Sequence, residues 1–287
     1  MGGIAMRFSA FSGAFIDYSI QQSMQIVKAI GFEGIEIACR EPHLSPETSL
    51  LRVEEIRSVA EGLDLAIPAL AGYGGGFSTA SDHDSELAFA DFQRLLDIAC
   101  RLNVPMIRVQ PGGPNAFMAQ PYHFSKAAYW LERCAKEALL VDKRVVLEIH
   151  NQSLVETVES SLHLLGKIDS PNIGMIHDAG NMFITGTDYG HNSIAELGNS
   201  LFHVHVKDIG RIDQAGVPGT FINLTSRGEE AFRHCRLGDG ETDHRSLFNS
   251  LQGVGYNGWV TLESNAPYPP EQRLAHDLRT IKSYLIT

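Results

Sequence analysis

Val145-Val146-Leu147-Glu148-Ile149-His150 is the stretch from which the fold can be read. Val145–Ile149 is strand length and apolar on both faces, apart from one acid. A strand buried between two layers requires such a run. Similar runs recur along the chain at Met6–Ser12, Gly34–Ala38, Leu65–Leu70, Pro105–Gln110, Ile173–His177, Leu201–Val206 and Trp259–Glu263. Helical patterns lie between them. Ile20, Met24, Val27 and Ile30 form one stripe; Leu50, Val53, Ile56, Val59 and Leu63 form another. Phe124, Ala127, Leu131, Cys134 and Ala138 keep the same spacing, as do Leu274, Leu278, Ile281 and Leu285. Steps of three and four residues place each set on one helix face. Glu86–Leu102, Glu156–Lys167, Asp243–Gly253 and the shorter His191–Leu197 complete the helices.

This alternation predicts an α/β (β/α)8 TIM barrel, a single domain over residues 1–287 with an enlarged loop after the seventh strand. The first strand leads to Ser12-Gly13-Ala14-Phe15, not the glycine-rich turn of a doubly wound nucleotide-binding sheet. The one long irregular stretch is Asp208–Thr242. Such a loop is usually functional or conceals short elements of its own.

Composition narrows the partners. With 23 Lys and Arg against 34 Asp and Glu, the net charge is −11, which argues against nucleic acid and membrane surfaces, both polyanions. A hydrophobic content of 44% excludes wholesale disorder. The start, Met1-Gly2-Gly3-Ile4-Ala5-Met6-Arg7, has no secretory-signal pattern, and Met6 stands where myristoylation wants Ser or Thr. No apolar run reaches the ~18 residues of a membrane span. Cys39, Cys100, Cys134 and Cys235 show no CxxC spacing. Cys100 and Cys134 read as core thiols, and a cytoplasmic location fits.

In a (β/α)8 barrel the chemistry sits at the carboxyl ends of the strands. There the fifth run offers Glu148 and His150, the sixth Asp178, the seventh His203, His205, Lys207 and Asp208, and the eighth Glu263. An acid inside an apolar strand is costly unless paired or bound to a metal. Three acids converging at one mouth repel each other, and a divalent cation removes that repulsion. Three carboxylates and an imidazole suit Mn²⁺, Mg²⁺, Co²⁺ or Fe²⁺ better than a thiolate zinc site. His203 lies deeper and reads as a supporting residue. His177 alternates with Asp178 and should face the helices.

Other polar residues near strand ends shape the pocket. Arg108 either contacts substrate or forms an internal salt bridge. Glu36 either binds ligand hydroxyls or pairs with Arg108. His150 orients a ligand or touches substrate, and Lys207 and Asp208 pair with neighbours. Phe11, Phe15 and Tyr73 form an apolar wall or pack in the core. The Gly238–Glu241 turn reads as the approach to a helix capped by Thr242 or Asp243, not as a phosphate cradle.

At these residues the sequence resembles the xylose isomerase-like TIM-barrel superfamily, the sugar phosphate isomerase/epimerase group. The resemblance covers almost the whole chain. It rests on Val146–Asn151, Ile176–Asn181, His203–Asp208, Leu237–Glu241 and Gly258–Glu263. It implies that Glu148, Asp178, His205 and Glu263 hold one divalent ion, commonly Mn²⁺. In the ketose 3-epimerase branch the two ligand glutamates also act as acid and base, which are Glu148 and Glu263 here. An arginine six residues past the ligand histidine contacts substrate there, and Arg211 matches it. Two positions depart from that branch: Asn181 replaces a histidine and Leu154 a glutamate. Asn181 can still hydrogen-bond a hydroxyl; Leu154 cannot.

The implied activity is a metal-dependent sugar isomerase or epimerase acting on a ketose or keto-polyol through an enediolate. Dehydration of a keto-sugar or inosose, or cleavage of a 3-keto-glycoside, would use the same site. A non-catalytic sugar-binding subunit of a larger complex is the alternative from another class. The resemblance further suggests a homo-dimer or homo-tetramer. Acidity argues against the nucleases that share the fold.

Overall fold

A computed structural model describes residues 6–213 and 216–285. The N-terminal readings on residues 1–5 lie outside the described residues. Eight parallel strands close into a barrel: β1 (Arg7–Phe11), β2 (Gly34–Ala38), β3 (Ala69–Gly75), β4 (Met106–Gln110), β5 (Arg144–Glu148), β6 (Ile173–Asp178), β7 (Leu201–Val206) and β11 (Trp259–Leu262). Their order around the barrel is β1-β11-β7-β6-β5-β4-β3-β2.

Strand alternation explains both layers. Val145, Leu147 and Ile149 are fully buried in the large core shared with the helices. Val146 belongs to a separate cluster with Ala69, Met106 and Ile176, which fills the barrel interior. Glu148 and Asp178 continue the inward-facing positions of β5 and β6. The polar ends of these strands therefore stand above an apolar floor.

The helices follow their stripes. Helix α1 (Ile20–Ile30) buries Ile20, Met24 and Val27 completely, each worth about 1.5–3 kcal/mol of transfer energy. Ser19 and Gln22 form its capping box, and Gly31 ends it at φ 101°. Helices α2 (Leu50–Gly62), α3 (Asp82–Arg101), α4 (Pro121–Leu140), α5 (Val158–Leu165), α6 (Ala179–Thr185), α7 (His191–Leu197), α8 (His244–Gly253) and α9 (Pro270–Leu285) follow. Asp243 caps α8 by accepting from the Ser246 amide at 3.0 Å.

Two local expectations are corrected. The third strand runs over Ala69–Gly75, not Leu65–Leu70. Pro68 lacks an amide donor, so only an isolated bridge at Ala66 precedes it. Pairing then continues through glycines that carry no apolar signal. At Gly72 a Cβ would meet the Arg108 carbonyl at 2.4 Å, so only glycine allows this approach. Cys100 is exposed whereas Cys134 is buried; the buried face of α3 runs through Leu95, Leu96 and Ala99.

The enlarged loop Asp208–Thr242 conceals short elements of its own, as its length allowed. It contains β8 (Asp208–Arg211), β9 (Thr220–Thr225) and β10 (Gly228–Cys235), paired antiparallel in the order β8-β10-β9. Asn151 and Gln152 both donate to Asn223 Oδ1, at 2.9 and 2.6 Å. This ties the small sheet to the loop after β5 and holds it over the barrel mouth. Among the described residues, no helix is long and apolar enough to cross a membrane.

Candidate active site

Asp178 is placed by two roles at once. It caps α6, with Oδ1 accepting from the Asn181 amide at 2.9 Å. Its other oxygen, Oδ2, lies 2.8 Å from Lys207 Nζ. The approach is close because residue 180 is glycine: a Cβ there would meet Lys207 Cγ at 2.5 Å.

His205 pairs in register with Asp178 on one side and Thr261 on the other. Its Nε2 donates to Glu36, with oxygens at 3.0 and 3.1 Å. Its Nδ1 therefore faces the mouth, 3.6 Å from Glu148 Oε1 and 3.3 Å from Glu263 Oε1. Donor atoms of Glu148, Asp178, His205 and Glu263 all lie within 4.8 Å of one another, and all four residues are buried. Divalent cations hold nitrogen and oxygen ligands at roughly 2.0–2.6 Å, so opposite ligands lie about 4–5 Å apart.

The donor chemistry fits such an ion. His205 Nδ1 is buried and makes no hydrogen bond. With Nε2–H given to Glu36, its lone pair points at two carboxylates, an arrangement a cation between them stabilises. The Glu36 carboxylate behind the ring fixes the imidazole, as acids behind metal-binding histidines do.

Beneath lies a buried polar network. Glu36 Oε2 accepts from His203 Nε2 at 2.8 Å and from Thr261 Oγ1 at 2.8 Å, and Thr261 bonds Ser9 at 2.7 Å. Burial alone would raise the Glu36 carboxyl; His205 and His203 outweigh it and hold it well below the usual range. Glu36 thus pairs with the histidines and not with Arg108, because it sits below the cavity floor. Burial would lower His205, but Glu36 and Glu263 outweigh it and raise its affinity for a second proton well above that of an ordinary imidazole. A cation at Nδ1 takes the place of that second proton.

Lys207 changes the charge balance expected from the acids alone. Its Nζ is 2.8 Å from both Asp178 and Glu263 and 3.6 Å from Glu148. The acids therefore already share an internal cation. Repulsion among them is a weaker argument for a metal than the orientation of His205. Burial and the Glu148 charge push Glu263 up, yet Lys207 and His205 together outweigh them and set the carboxyl at about 2. Asp178 goes the other way: burial dominates over Lys207 and raises it to about 7. Glu148 is held well below its ordinary value, with Arg108 and Lys207 outweighing burial.

Arg108 forms the internal salt bridge, its Nη1 on Glu148 Oε2. Asn181 Nδ2 donates to Glu148 Oε1 at 3.1 Å and to the Ile149 carbonyl at 3.0 Å. Both residues line the cavity while holding Glu148 in place. His150 lines it too, with Nδ1 against the Asn151 carbonyl. Arg211 is not among the lining residues; its guanidinium stacks 4.4 Å from the Phe183 ring, near Glu230 and Glu241. His177 turns outward to Ser193 Oγ at 3.0 Å, as its alternation requires. Asp208 accepts from the Gly238, Gly240 and Thr242 amides and pins that turn.

The cavity above these groups measures about 330 Å³. Phe11 and Tyr73 line it, whereas Phe15 is fully buried. Five polar lining residues escape a reading of strand ends by acid and histidine: Arg40, Gln110, Asn151, His234 and Asn265. Arg40 follows β2 by two residues, the offset at which His150 follows β5, and that was the available signal. His234 comes from the small sheet, whose pairing the sequence does not display. It stacks on Phe221 at 4.6 Å between centroids.

A family model described as xylose isomerase-like TIM barrel matches residues 24–284. The chain is 24% identical to an inosose dehydratase of Lactiplantibacillus plantarum, over 94% of this chain and 90% of that protein. It is 20% identical to a fructoselysine 3-epimerase of Escherichia coli O157:H7, over 94% of both chains. A crystal structure of a probable 3-DHS dehydratase involved in petrobactin synthesis, from Bacillus anthracis, superposes with a TM-score of 0.79. It is 18% identical, with 96% of this chain and 99% of that chain covered.

Proposed function

The chain belongs to the xylose isomerase-like TIM barrel family, and on that premise we propose that it is a divalent-metal-dependent isomerase or epimerase of a ketose or keto-polyol. The observation that carries this reading is the buried set Glu148, Asp178, His205 and Glu263 at the foot of the cavity, with His205 Nδ1 turned toward two of the carboxylates. These four residues would hold the ion, and Mn²⁺ suits their oxygen and nitrogen donors. When bound, a divalent cation supplies stabilisation of the negative charge that develops on a substrate oxygen.

The residues do the rest. A carboxylate of Glu148 or Glu263 takes the proton from the carbon beside the carbonyl. The C–H electron pair then forms the carbon–carbon double bond of an enediolate, and the carbonyl electrons move to oxygen. A proton returned to the opposite face gives the epimer; returned to the neighbouring carbon, it gives the isomer. Arg108 and Asn181 hold the Glu148 carboxylate in one plane throughout. His150 lines the wall beside it, and Arg211, on the small sheet, would reach substrate only by leaving Phe183.

Dehydration is the second reading. The similarity to an inosose dehydratase extends over 94% of the chain, and Leu154 is fully buried, with no polar group to offer a ketose hydroxyl. Here the enediolate electrons re-form the carbonyl, the double bond moves between the α- and β-carbons as the β C–O bond breaks, and the hydroxide leaves as water with the proton that Glu148 or Glu263 had taken. In D₂O, Mn²⁺-loaded protein incubated with ketoses, inososes and 3-keto sugars should incorporate deuterium at the carbon beside the carbonyl. Loss of water would distinguish the dehydratase. No exchange with any of them, with metal bound, would refute an enolising enzyme and leave a sugar-binding subunit.

A further inference from the structure

Pairing within the cavity leaves one cation without a carboxylate in contact. Arg108 is paired with Glu148, and Lys207 with Asp178 and Glu263. Arg40 lines the same cavity and is exposed to it. Among the described residues, no carboxylate lies within salt-bridge range of its guanidinium. Its contact is the face of Tyr73, with the guanidinium carbon 5.5 Å from the ring centroid. Arg108 leans on that ring at 5.1 Å, so Arg40 stands one aromatic ring away from the arginine that holds Glu148. Gln110 and Asn265 line the cavity as well, and their amides make no hydrogen bond among the described residues.

We infer that Arg40 receives a carboxylate on the far end of the substrate, which is therefore an acidic keto-polyol and not a neutral sugar. The inference rests on the reading of Glu148, Asp178, His205 and Glu263 as the reacting end. Arg108, Lys207 and Arg40 together match Glu148, Asp178 and Glu263 three to three, so a divalent cation held there would leave an excess of positive charge that an anionic substrate offsets. A guanidinium offers two parallel donors that match one carboxylate. The Tyr73 ring holds the guanidinium from one face and limits the geometries it must give up on binding. Gln110 and Asn265 line the same cavity and offer free amides to the substrate's hydroxyls. Phosphate would ask for more donors than the single unpaired guanidinium supplies.

The test uses matched pairs that differ only in oxidation of C6: D-fructuronate with D-fructose, and D-tagaturonate with D-tagatose. Binding to the Mn²⁺-loaded protein is measured by calorimetry, and deuterium exchange is followed separately by NMR. The expected result is uronates bound about 10- to 100-fold more tightly than their ketoses, as a charge-assisted pair allows. In Arg40→Gln that ratio falls toward one, and in Arg40→Lys it recovers in part. Equal binding of acid and ketose, failure of both to bind, or a ratio unchanged in Arg40→Gln would overturn the inference. Tighter binding of D-fructose 6-phosphate than of D-fructuronate would also overturn it, in favour of a phosphate. Uronate preference without deuterium exchange would uphold the anion site and refute the enolising reading; exchange without uronate preference would do the reverse.

Discussion

His205 gives its Nε2 proton to Glu36, 3.0 Å away, and so turns Nδ1 toward Glu148 and Glu263. This pairing orients the imidazole from below the site. It links the innermost polar residues of the barrel to the mouth where the chemistry is placed.

Replacing Glu36 should therefore weaken metal binding without touching a ligand. Glu36→Gln keeps an oxygen for the histidines but removes the charge that fixes the ring. Mn²⁺ affinity should fall about 10- to 100-fold, the usual effect of losing such a partner. Equilibrium dialysis checks this, and an unchanged affinity would show that the ring is held by packing alone.

Lys207 makes a two-sided prediction. Lys207→Met leaves Asp178 and Glu263 buried without their ammonium. Breaking a buried pair from one side costs about 3–5 kcal/mol. The metal-free variant should melt well below wild type. Mn²⁺ should raise its melting temperature more than it raises that of wild type, because the ion then supplies the missing charge. A smaller gain would show that Lys207 assists the ion and does not compete with it.

The sequence carried the barrel legibly wherever strands are buried on both faces. The runs around Val145, Ile173 and Leu201 needed no more than their apolar residues. It lost β3 because Pro68 splits the run and the strand continues through Gly72, Gly74 and Gly75. It lost the small sheet because Thr220–Thr225 and Gly228–Cys235 alternate weakly and lie among glycines. The candidate ligands could be found because acids are rare in buried strands. Arg40 offered only its two-residue offset from β2, and an arginine after a strand is ordinary until the cavity is seen. Arg211 was assigned through the resemblance to the ketose 3-epimerase branch, which does not record that Phe183 holds its guanidinium aside.

A pH dependence of stability follows from His43, which is fully buried. Its Nδ1 bonds Ser12 Oγ at 2.9 Å, and its Nε2 the Phe15 carbonyl at 3.1 Å. Burial lowers its folded value below the ordinary one. The unfolded chain therefore binds this proton first, and stability is lost as pH falls below the unfolded value near 6.5. In His43→Gln, urea unfolding between pH 7.5 and 5 should show a slope reduced by up to one proton. An unchanged slope would assign it to other groups.

Gly180→Ala tests the packing that brings Asp178 to Lys207. The added methyl would lie 2.5 Å from Lys207 Cγ and 2.8 Å from its carbonyl oxygen. The expected cost is about 1–3 kcal/mol of stability, as for overpacking elsewhere. Mn²⁺ affinity should fall with it, because α6 carries Asp178 as its cap. Urea unfolding and metal titration of the same variant measure both.

The central claim is that one divalent ion sits among Glu148, Asp178, His205 and Glu263. Metal analysis of desalted, Mn²⁺-loaded protein tests it directly. The account predicts about one ion per chain in wild type and almost none in the Asp178→Ala/His205→Ala double variant, with circular dichroism confirming that the variant is folded. Full occupancy in that variant would contradict it and place the ion elsewhere.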